Sequence, residues 1–158
     1  MHSTKHPIAI DEHIAAVNLT SFHYGVPGSG KKVYIQASLH ADEVPAMLVA
    51  HLLRQELERL DAEGRIKGEV ILVPVANPIG LAQVIHGAPF GRYDLATGTN
   101  FNRAYRHVAQ DVMAGVAGQL GQDAAANVAL IREHARRSVA SWEPGNPTAT
   151  LKKTLLTM

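Results

Sequence analysis

Hydrophobic and polar residues alternate along two stretches near the amino terminus, which is typical of β-strands with one buried face. Residues 17–24 (Val-Asn-Leu-Thr-Ser-Phe-His-Tyr) and 33–37 (Val-Tyr-Ile-Gln-Ala) follow this pattern. Gly and Pro residues occupy the segment 25–32 between them, so the pattern predicts a hairpin. Residues 8–10 indicate a further, short edge strand. The histidines in this part of the chain are expected to be solvated: His2, His6 and His13.

After Glu43, the apolar residues change to helical spacing. Asp42 is the expected N-cap of this helix, Pro45 is compatible with its first turn, and Gly64 marks its end. The predicted apolar stripe of the helix consists of Val49, Leu52, Leu53, Leu57 and Leu60.

A nearly continuous apolar run at residues 69–76 predicts a strand that is buried on both faces. The order strand, helix, strand implies a right-handed crossover, so this strand and residues 33–37 should form a parallel pair. Pro74 predicts a bulge or a local edge in the second strand, because proline has no N–H to donate.

Residues 80–102 contain several Gly and Pro residues and show no sustained periodicity, so they are expected to form a long loop that is functional or disordered. Apolar residues at helical spacing then predict helices at residues 105–120 and 128–142, with His134 on a solvated face. A third helix is predicted to begin after Pro147.

These elements predict an α/β fold with a mixed or parallel sheet flanked by helices. Only three or four strands are evident, and the final predicted helix ends on an apolar residue without a cap. We therefore expect residues 1–158 to be the amino-terminal part of a single domain that is incomplete at its carboxyl end.

The composition, 46% hydrophobic and 18% charged, fits one globular domain or a large part of one. The net charge of +1 gives no indication of a nucleic-acid partner or of a membrane surface as a partner. No segment resembles a signal peptide or a membrane span, so the expected location is the cytoplasm. The chain has no cysteine, which leaves His, Asp and Glu as candidate metal ligands.

Residues 25–32 (Gly-Val-Pro-Gly-Ser-Gly-Lys-Lys) nearly match a phosphate-binding loop. The match fails at Lys32, where the motif requires Ser or Thr, and a strand follows where the motif requires a helix. The residues favour a turn between two strands.

His40 and Glu43 lie on the turn between the predicted strand and the predicted helix. Ligand sites collect at the carboxyl ends of strands in open α/β sheets. An imidazole and a carboxylate on one turn could supply two of the three protein ligands of a catalytic zinc ion, and the small residues Ala37, Ser38 and Ala41 leave room for it. The alternative is a carboxylate that interacts with the helix dipole beside an unrelated histidine.

A second polar group closes the long loop with Asn102 and Arg103, and Arg92 lies upstream. A guanidinium binds a carboxylate through two parallel hydrogen bonds, and Asn adds a directional donor. These residues are candidates for binding a substrate carboxylate. The alternative is an arginine that fixes the loop to the scaffold.

Three blocks of sequence resemble the succinylglutamate desuccinylase/aspartoacylase family of zinc carboxypeptidase-like hydrolases. They are Leu-His-Ala-Asp-Glu at 39–43, Val-Pro-Val-Ala-Asn-Pro at 73–78 and Asn-Phe-Asn-Arg at 100–103, and they come in the family's order. The resemblance implies a zinc carboxypeptidase-like fold. It also implies hydrolysis of the amide bond of an N-acyl amino acid, or of a related carboxylate-bearing amide, by a deacylase or desuccinylase.

The resemblance further implies a role for each candidate residue. His40 and Glu43 would ligate Zn²⁺, and Arg92, Asn102 and Arg103 would bind the substrate. Arg103 would also be catalytic, since it would stabilise the developing oxyanion. The expected partner is a small N-acyl amino acid, and exposed sheet edges would favour homo-oligomers.

The family's third zinc ligand is a His on a later strand, and its general-base Glu comes later still. Residues 104–158 contain only His107 and His134, both in predicted helical patterns. The chain is therefore expected to have an incomplete site and to be inactive alone. Two alternatives remain open: His86 or His107 supplies the third ligand, or the chain is a non-catalytic module that binds carboxylates.

Overall fold

The computed structural model describes residues 1–11 and 14–158, with side chains described outside residues 9–15. The prediction that His13 is solvated lies outside the described residues. The chain forms two compact units, one of residues 1–104 with Met158 and the other of residues 105–157. Each unit is considered by itself.

The described part of the first unit contains a four-stranded sheet, one long and one short helix, and a two-stranded ribbon. The elements are β1 (His2–Asp11), β2 (Ile14–Gly25), β3 (Lys32–Gln36), α1 (Val44–Ala62), β4 (Glu69–Val73), α2 (Pro78–Leu81), β5 (Val84–Ile85) and β6 (Ala88–Pro89). The segment predicted as a loop is therefore ordered and carries α2, β5 and β6.

The order of strands in the main sheet is β1-β2-β4-β3. The predicted parallel pair is confirmed in β3 and β4, and the predicted mixed α/β architecture is confirmed with it. The predicted hairpin of β2 and β3 is wrong, because β4 lies between them and pairs with both. Strand β4 is the most apolar of β2, β3 and β4, and Ile71, Leu72 and Val73 are buried, so it lies between β2 and β3. Strand β2 instead pairs with β1, which is longer than the predicted edge strand.

Pro74 ends β4 and does not produce a bulge or an edge, because the strand is already paired on both sides and stops at Val73. The segments that follow β3 and β4 remain hydrogen-bonded to each other beyond this point. The N–H of Ala37 donates to the carbonyl of Val73 (3.0 Å), and the N–H of Ala76 donates to the carbonyl of Ala37 (2.8 Å). These bonds hold the segments that follow β3 and β4 side by side.

Helix α1 packs on the sheet through Ala50, Leu53 and Leu57, which contact a core that includes Tyr24 and Leu72. The predicted stripe is wrong at Val49 and Leu52, whose side chains are exposed. The sheet meets the helix along the line of Ala50, Leu53 and Leu57, so only part of the broad apolar surface of α1 is covered.

The second unit contains α3 (Ala109–Val116), α4 (Ala124–Ala140) and α5 (Pro147–Thr157). All three predicted helices are present, but α3 is shorter than predicted, and Gly118 beyond its end has a φ of +70°. The solvated face predicted for His134 is wrong in part. Its ring is half-buried and lies so close to Gly115 that a Cβ there would come within 2.2 Å of Nδ1. No helix in the described part of the chain combines the length and apolar character that a membrane span requires.

Candidate functional site

The candidate site begins where β3 ends, at Ser38. This residue has a φ of +57°, in the left-handed region that side chains other than Gly rarely adopt. The turn that follows is fixed to the end of β4, because Asn77 Nδ2 donates to the carbonyl of Leu39 (3.0 Å). Asn77 Oδ1 also accepts from the N–H of Gly80 (2.8 Å) and so caps α2. One buried amide thus connects the segments that follow the two parallel strands.

His40 and Glu43 meet on this turn. Nδ1 of His40 lies 3.2 Å from Oε1 of Glu43. The prediction that Asp42 caps α1 is wrong, since Glu43 occupies the N-cap position and makes no side-chain cap bond. Its carboxylate contacts His40 and Arg92 instead, at 3.2 and 2.6 Å.

Asn100 fixes the tautomer of His40. Its Oδ1 lies 2.9 Å from Nε2 of His40 and accepts a hydrogen bond from the backbone N–H of Asn102 (2.8 Å). A backbone N–H can only donate, so this side-chain atom must be the amide oxygen. Nε2 of His40 must then carry a hydrogen and donate it. In the neutral imidazole, Nδ1 is left with its lone pair directed at Glu43.

Arg92 reaches the same carboxylate from the long loop. Its Nη2 donates to Oε1 of Glu43 (2.6 Å). The backbone around it is fixed, since the N–H of Phe101 donates to the carbonyl of Arg92 (3.1 Å) and Phe101 is fully buried. Next to it, the N–H of Ala41 donates to the carbonyl of Gly91 (3.0 Å). A Cβ at Gly91 would lie 2.4 Å from the backbone nitrogen of Asp42, so only glycine permits this approach.

Asn102 and Arg103 directly follow this cluster. The N–H of Arg103 donates to the carbonyl of Asn100 (3.0 Å), and Nη1 of Arg103 donates to the carbonyl of Asn102 (2.8 Å). Both side chains are exposed. The structure therefore brings His40 and Arg92 each into contact with Glu43, and it places Asn102 and Arg103 beside Asn100, which contacts His40.

The pair of His40 and Glu43 fits a zinc ion by its geometry. Zinc bonds to His and carboxylate ligands are about 2.0–2.2 Å long, so two ligands at a tetrahedral angle have donor atoms about 3.3–3.5 Å apart. The observed separation of 3.2 Å is close to this value. A metal-ligating His also commonly donates its other N–H to an oxygen acceptor, as His40 does to Asn100.

Among the residues whose side chains are described, no third protein ligand accompanies this pair, because no group of three or more His, Cys, Asp or Glu residues there could hold a metal ion. His107 belongs to the second unit, so its role as a third ligand stays a prediction, and the described residues give no support to His86 in that role. His86 is exposed in the turn between β5 and β6.

Asn100 is the contact that sequence reasoning missed, although Asn102 was identified two residues later. Asn100 lies in the Asn-Phe-Asn pattern, and Phe101 between the two amides is fully buried in the turn that carries them. Nothing in the local pattern indicated which of the two amides would reach His40, a residue 60 positions away.

The fold and the site together define an α/β protein with a metal-compatible His/Glu pair beside a cluster of Arg and Asn. Residues 29–137 match the model of the succinylglutamate desuccinylase/aspartoacylase catalytic domain, and the chain belongs to this family. The resemblance carried by the three blocks of sequence is thereby confirmed.

Two solved structures share the fold over 98% of this chain. A succinylglutamate desuccinylase/aspartoacylase family protein from Shewanella amazonensis SB2B is 25% identical, with a TM-score of 0.82. A succinylglutamate desuccinylase/aspartoacylase from Shewanella frigidimarina NCIMB 400 is 23% identical, with a TM-score of 0.74. The chain spans 42% of the length of each. A comparison with curated proteins gave no match.

Proposed function

We propose that residues 1–158 are the amino-terminal part of a single zinc-dependent hydrolase domain. Its substrate would be the amide of an N-acyl amino acid or a related carboxylate-bearing amide, of the deacylase or desuccinylase type. The proposal rests chiefly on the separation of 3.2 Å between Nδ1 of His40 and Oε1 of Glu43, with Nε2 held by Asn100. Family membership supports the same chemistry.

Each residue in the cluster has a chemical task in this proposal. His40 and Glu43 hold the metal, and the bond from His40 to Asn100 keeps Nδ1 available as a ligand. A bound Zn²⁺ supplies a Lewis acid and makes a water molecule more acidic. Arg92, Asn102 and Arg103 bind the substrate carboxylate. Arg103 is also the proposed catalytic residue, because its guanidinium can stabilise negative charge that develops on the reacting carbonyl oxygen.

The proposed activity belongs to the complete domain, which needs a third zinc ligand and a general-base Glu. In this proposal His40 and Glu43 supply two ligands, and the described residues contain no group of three that could hold a metal ion. We therefore expect the chain of 158 residues to bind zinc through a half-site and to hydrolyse N-acyl amino acids at a negligible rate.

The first test is zinc binding by the purified chain after chelation and re-addition of the metal. We expect His40→Ala to abolish zinc binding at the site, because it removes one of the two ligands. His51→Ala is the matched control, since His51 is exposed on α1 and bonds to Gln55, away from the site. Zinc binding should be unchanged in this control.

Equal loss of zinc in the two variants, or no loss in either, would contradict the assignment of His40. Stabilisation of the chain by acidic amino acids that a chelator leaves unaffected would favour the non-catalytic carboxylate-binding module. Rapid turnover of any N-acyl amino acid would contradict the proposed half-site.

A further inference from the structure

Two groups approach the same oxygen of Glu43. Nη2 of Arg92 lies 2.6 Å from Oε1, and Nδ1 of His40 lies 3.2 Å from it. Oε1 is thus the oxygen that faces the candidate metal position and also the oxygen that the guanidinium binds. The side chains of Arg92 and Glu43 are 43% and 54% exposed, whereas His40 is 12% exposed. Of the two groups that approach Oε1, the arginine is therefore the more exposed to solvent.

We propose that Arg92 competes with the metal ion for Glu43 and thereby couples metal binding to the binding of a carboxylate ligand. This inference rests on the proposed function, since it assigns the metal to His40 and Glu43. It adds a thermodynamic link between two molecules that bind at this site, the metal ion and the carboxylate.

The competition follows from charge. The guanidinium of Arg92 and a divalent cation are both positively charged, so they repel each other when both approach Oε1 of Glu43. This repulsion weakens the ion pair between Arg92 and Glu43 when a cation binds Oε1, and it favours movement of the guanidinium away from that oxygen. The backbone of Arg92 is held by its carbonyl's bond to the N–H of Phe101, so the side chain moves while the loop stays.

The displaced guanidinium then needs an anionic partner, and a substrate carboxylate provides one in bidentate geometry. Coupling between two ligands is reciprocal. A carboxylate ligand that removes Arg92 from Glu43 must therefore raise the affinity of the site for the metal. Bound metal must raise the affinity for the carboxylate by the same factor.

The test is a titration of the chain with zinc chloride, monitored through the NMR resonances of the His40 imidazole. These resonances are assigned by their absence from the spectrum of His40→Ala. We expect Arg92→Gln to bind zinc about twofold to fivefold more tightly, as appropriate for the loss of one exposed ion pair. Arg65→Gln is the control, since it removes one positive charge at an exposed residue that pairs with Glu63 outside the site.

The same titration is repeated with N-acetylalanine, a probe with a single carboxylate. We expect it to tighten zinc binding in the wild type and to have no effect in Arg92→Gln. Equal zinc affinity in the wild type and Arg92→Gln, or an effect of N-acetylalanine that persists in Arg92→Gln, would overturn the coupling alone. Absence of any zinc-dependent shift of His40 in both proteins would overturn the proposed function and the coupling together.

Discussion

Ser38 is the residue at which the candidate site imposes the clearest cost on the fold. Its φ of +57° lies in the left-handed region, which costs an L-residue about 1–2 kcal/mol. Its hydroxyl is buried and has no hydrogen-bond partner among the described residues, which adds about 1–3 kcal/mol. Such strain is typical of functional sites, and here it lies two residues before His40.

We predict that Ser38→Gly stabilises the chain by about 1 kcal/mol, because glycine adopts this φ without strain and carries no hydroxyl. Ser38→Ala should give a smaller gain, since it removes the hydroxyl but keeps the Cβ. Urea denaturation of the three proteins measures both effects. A destabilised Ser38→Gly variant would show that the hydroxyl has a partner that stabilises the turn.

At this scale, the sequence identified the residues whose chemistry is local. His40 and Glu43 share one turn, so their spacing sufficed to predict that they meet. Arg92 was proposed as a substrate-binding residue from its side-chain chemistry and from the family resemblance; that role stays a prediction, and the guanidinium contacts the carboxylate of Glu43. Asn100 could not be predicted, because its role depends on how the loop folds back across the site, which no local pattern encodes.

Among the elements, the hairpin of β1 and β2 differs most from expectation. His6 was predicted to be solvated but is half-buried, and its Nε2 lies 2.8 Å from Oγ of Ser21. Nε2 of His23 lies 2.8 Å from the same Oγ, and the ring of His23 stacks on that of His2. A single hydroxyl has one hydrogen to donate, so at most one of the two Nε2 atoms can accept from it and the other must donate to it.

Burial lowers the pKa of His6, and burial is also the main cause that lowers the pKa of His23. The charged or titratable groups that act on His23 are His2, His6 and Lys32, which lower its pKa further, and Glu69, which raises it. The folded state therefore disfavours protonation of both rings relative to the unfolded chain.

The free energy of unfolding should consequently be constant above the ordinary histidine pKa of about 6.5 and should fall as the pH decreases below it. In that window the unfolded chain binds more protons than the folded chain. We predict that His6→Gln makes the pH dependence shallower, as measured by urea denaturation between pH 7.5 and 5. His51→Gln, an exposed control on α1, should leave the slope unchanged; a steeper slope in His6→Gln would contradict the assignment.

Periodicity predicted whether most segments form helices or strands, but it did not predict which strands pair with each other. It reports which positions of a segment are apolar and not which strands are neighbours; β2, for example, buries Leu19 and Ser21 on one face and Tyr24 on the other. The order β1-β2-β4-β3 depends on which strand occupies the centre. The continuous apolar run of β4 indicated a central strand, but the short segment 25–32 between β2 and β3 gave the competing prediction that these two strands form a hairpin.

At the scale of the whole molecule, the described part of the first unit has strand edges at β1 and β3 and an exposed apolar row on α1. Within the described residues, β3 is an edge strand that pairs with β4 alone. Helix α1 exposes a row of large apolar side chains, each more than half accessible: Val44, Leu48, Val49 and Leu52. Open strand edges and contiguous apolar surface both favour association. The solved relatives are more than twice as long as this chain, since it spans 42% of each.

We predict that the purified chain self-associates in a concentration-dependent manner through the exposed row on α1. Leu48→Glu should shift the equilibrium toward the monomer, because the charge would have to be buried at the interface. Sedimentation velocity over a range of protein concentrations measures the shift. Gln55→Glu is the matched control, since it adds the same charge at an exposed polar position of the same helix. A wild-type chain that stays monomeric at every concentration, or equal dissociation in both variants, would show that this row does not mediate association.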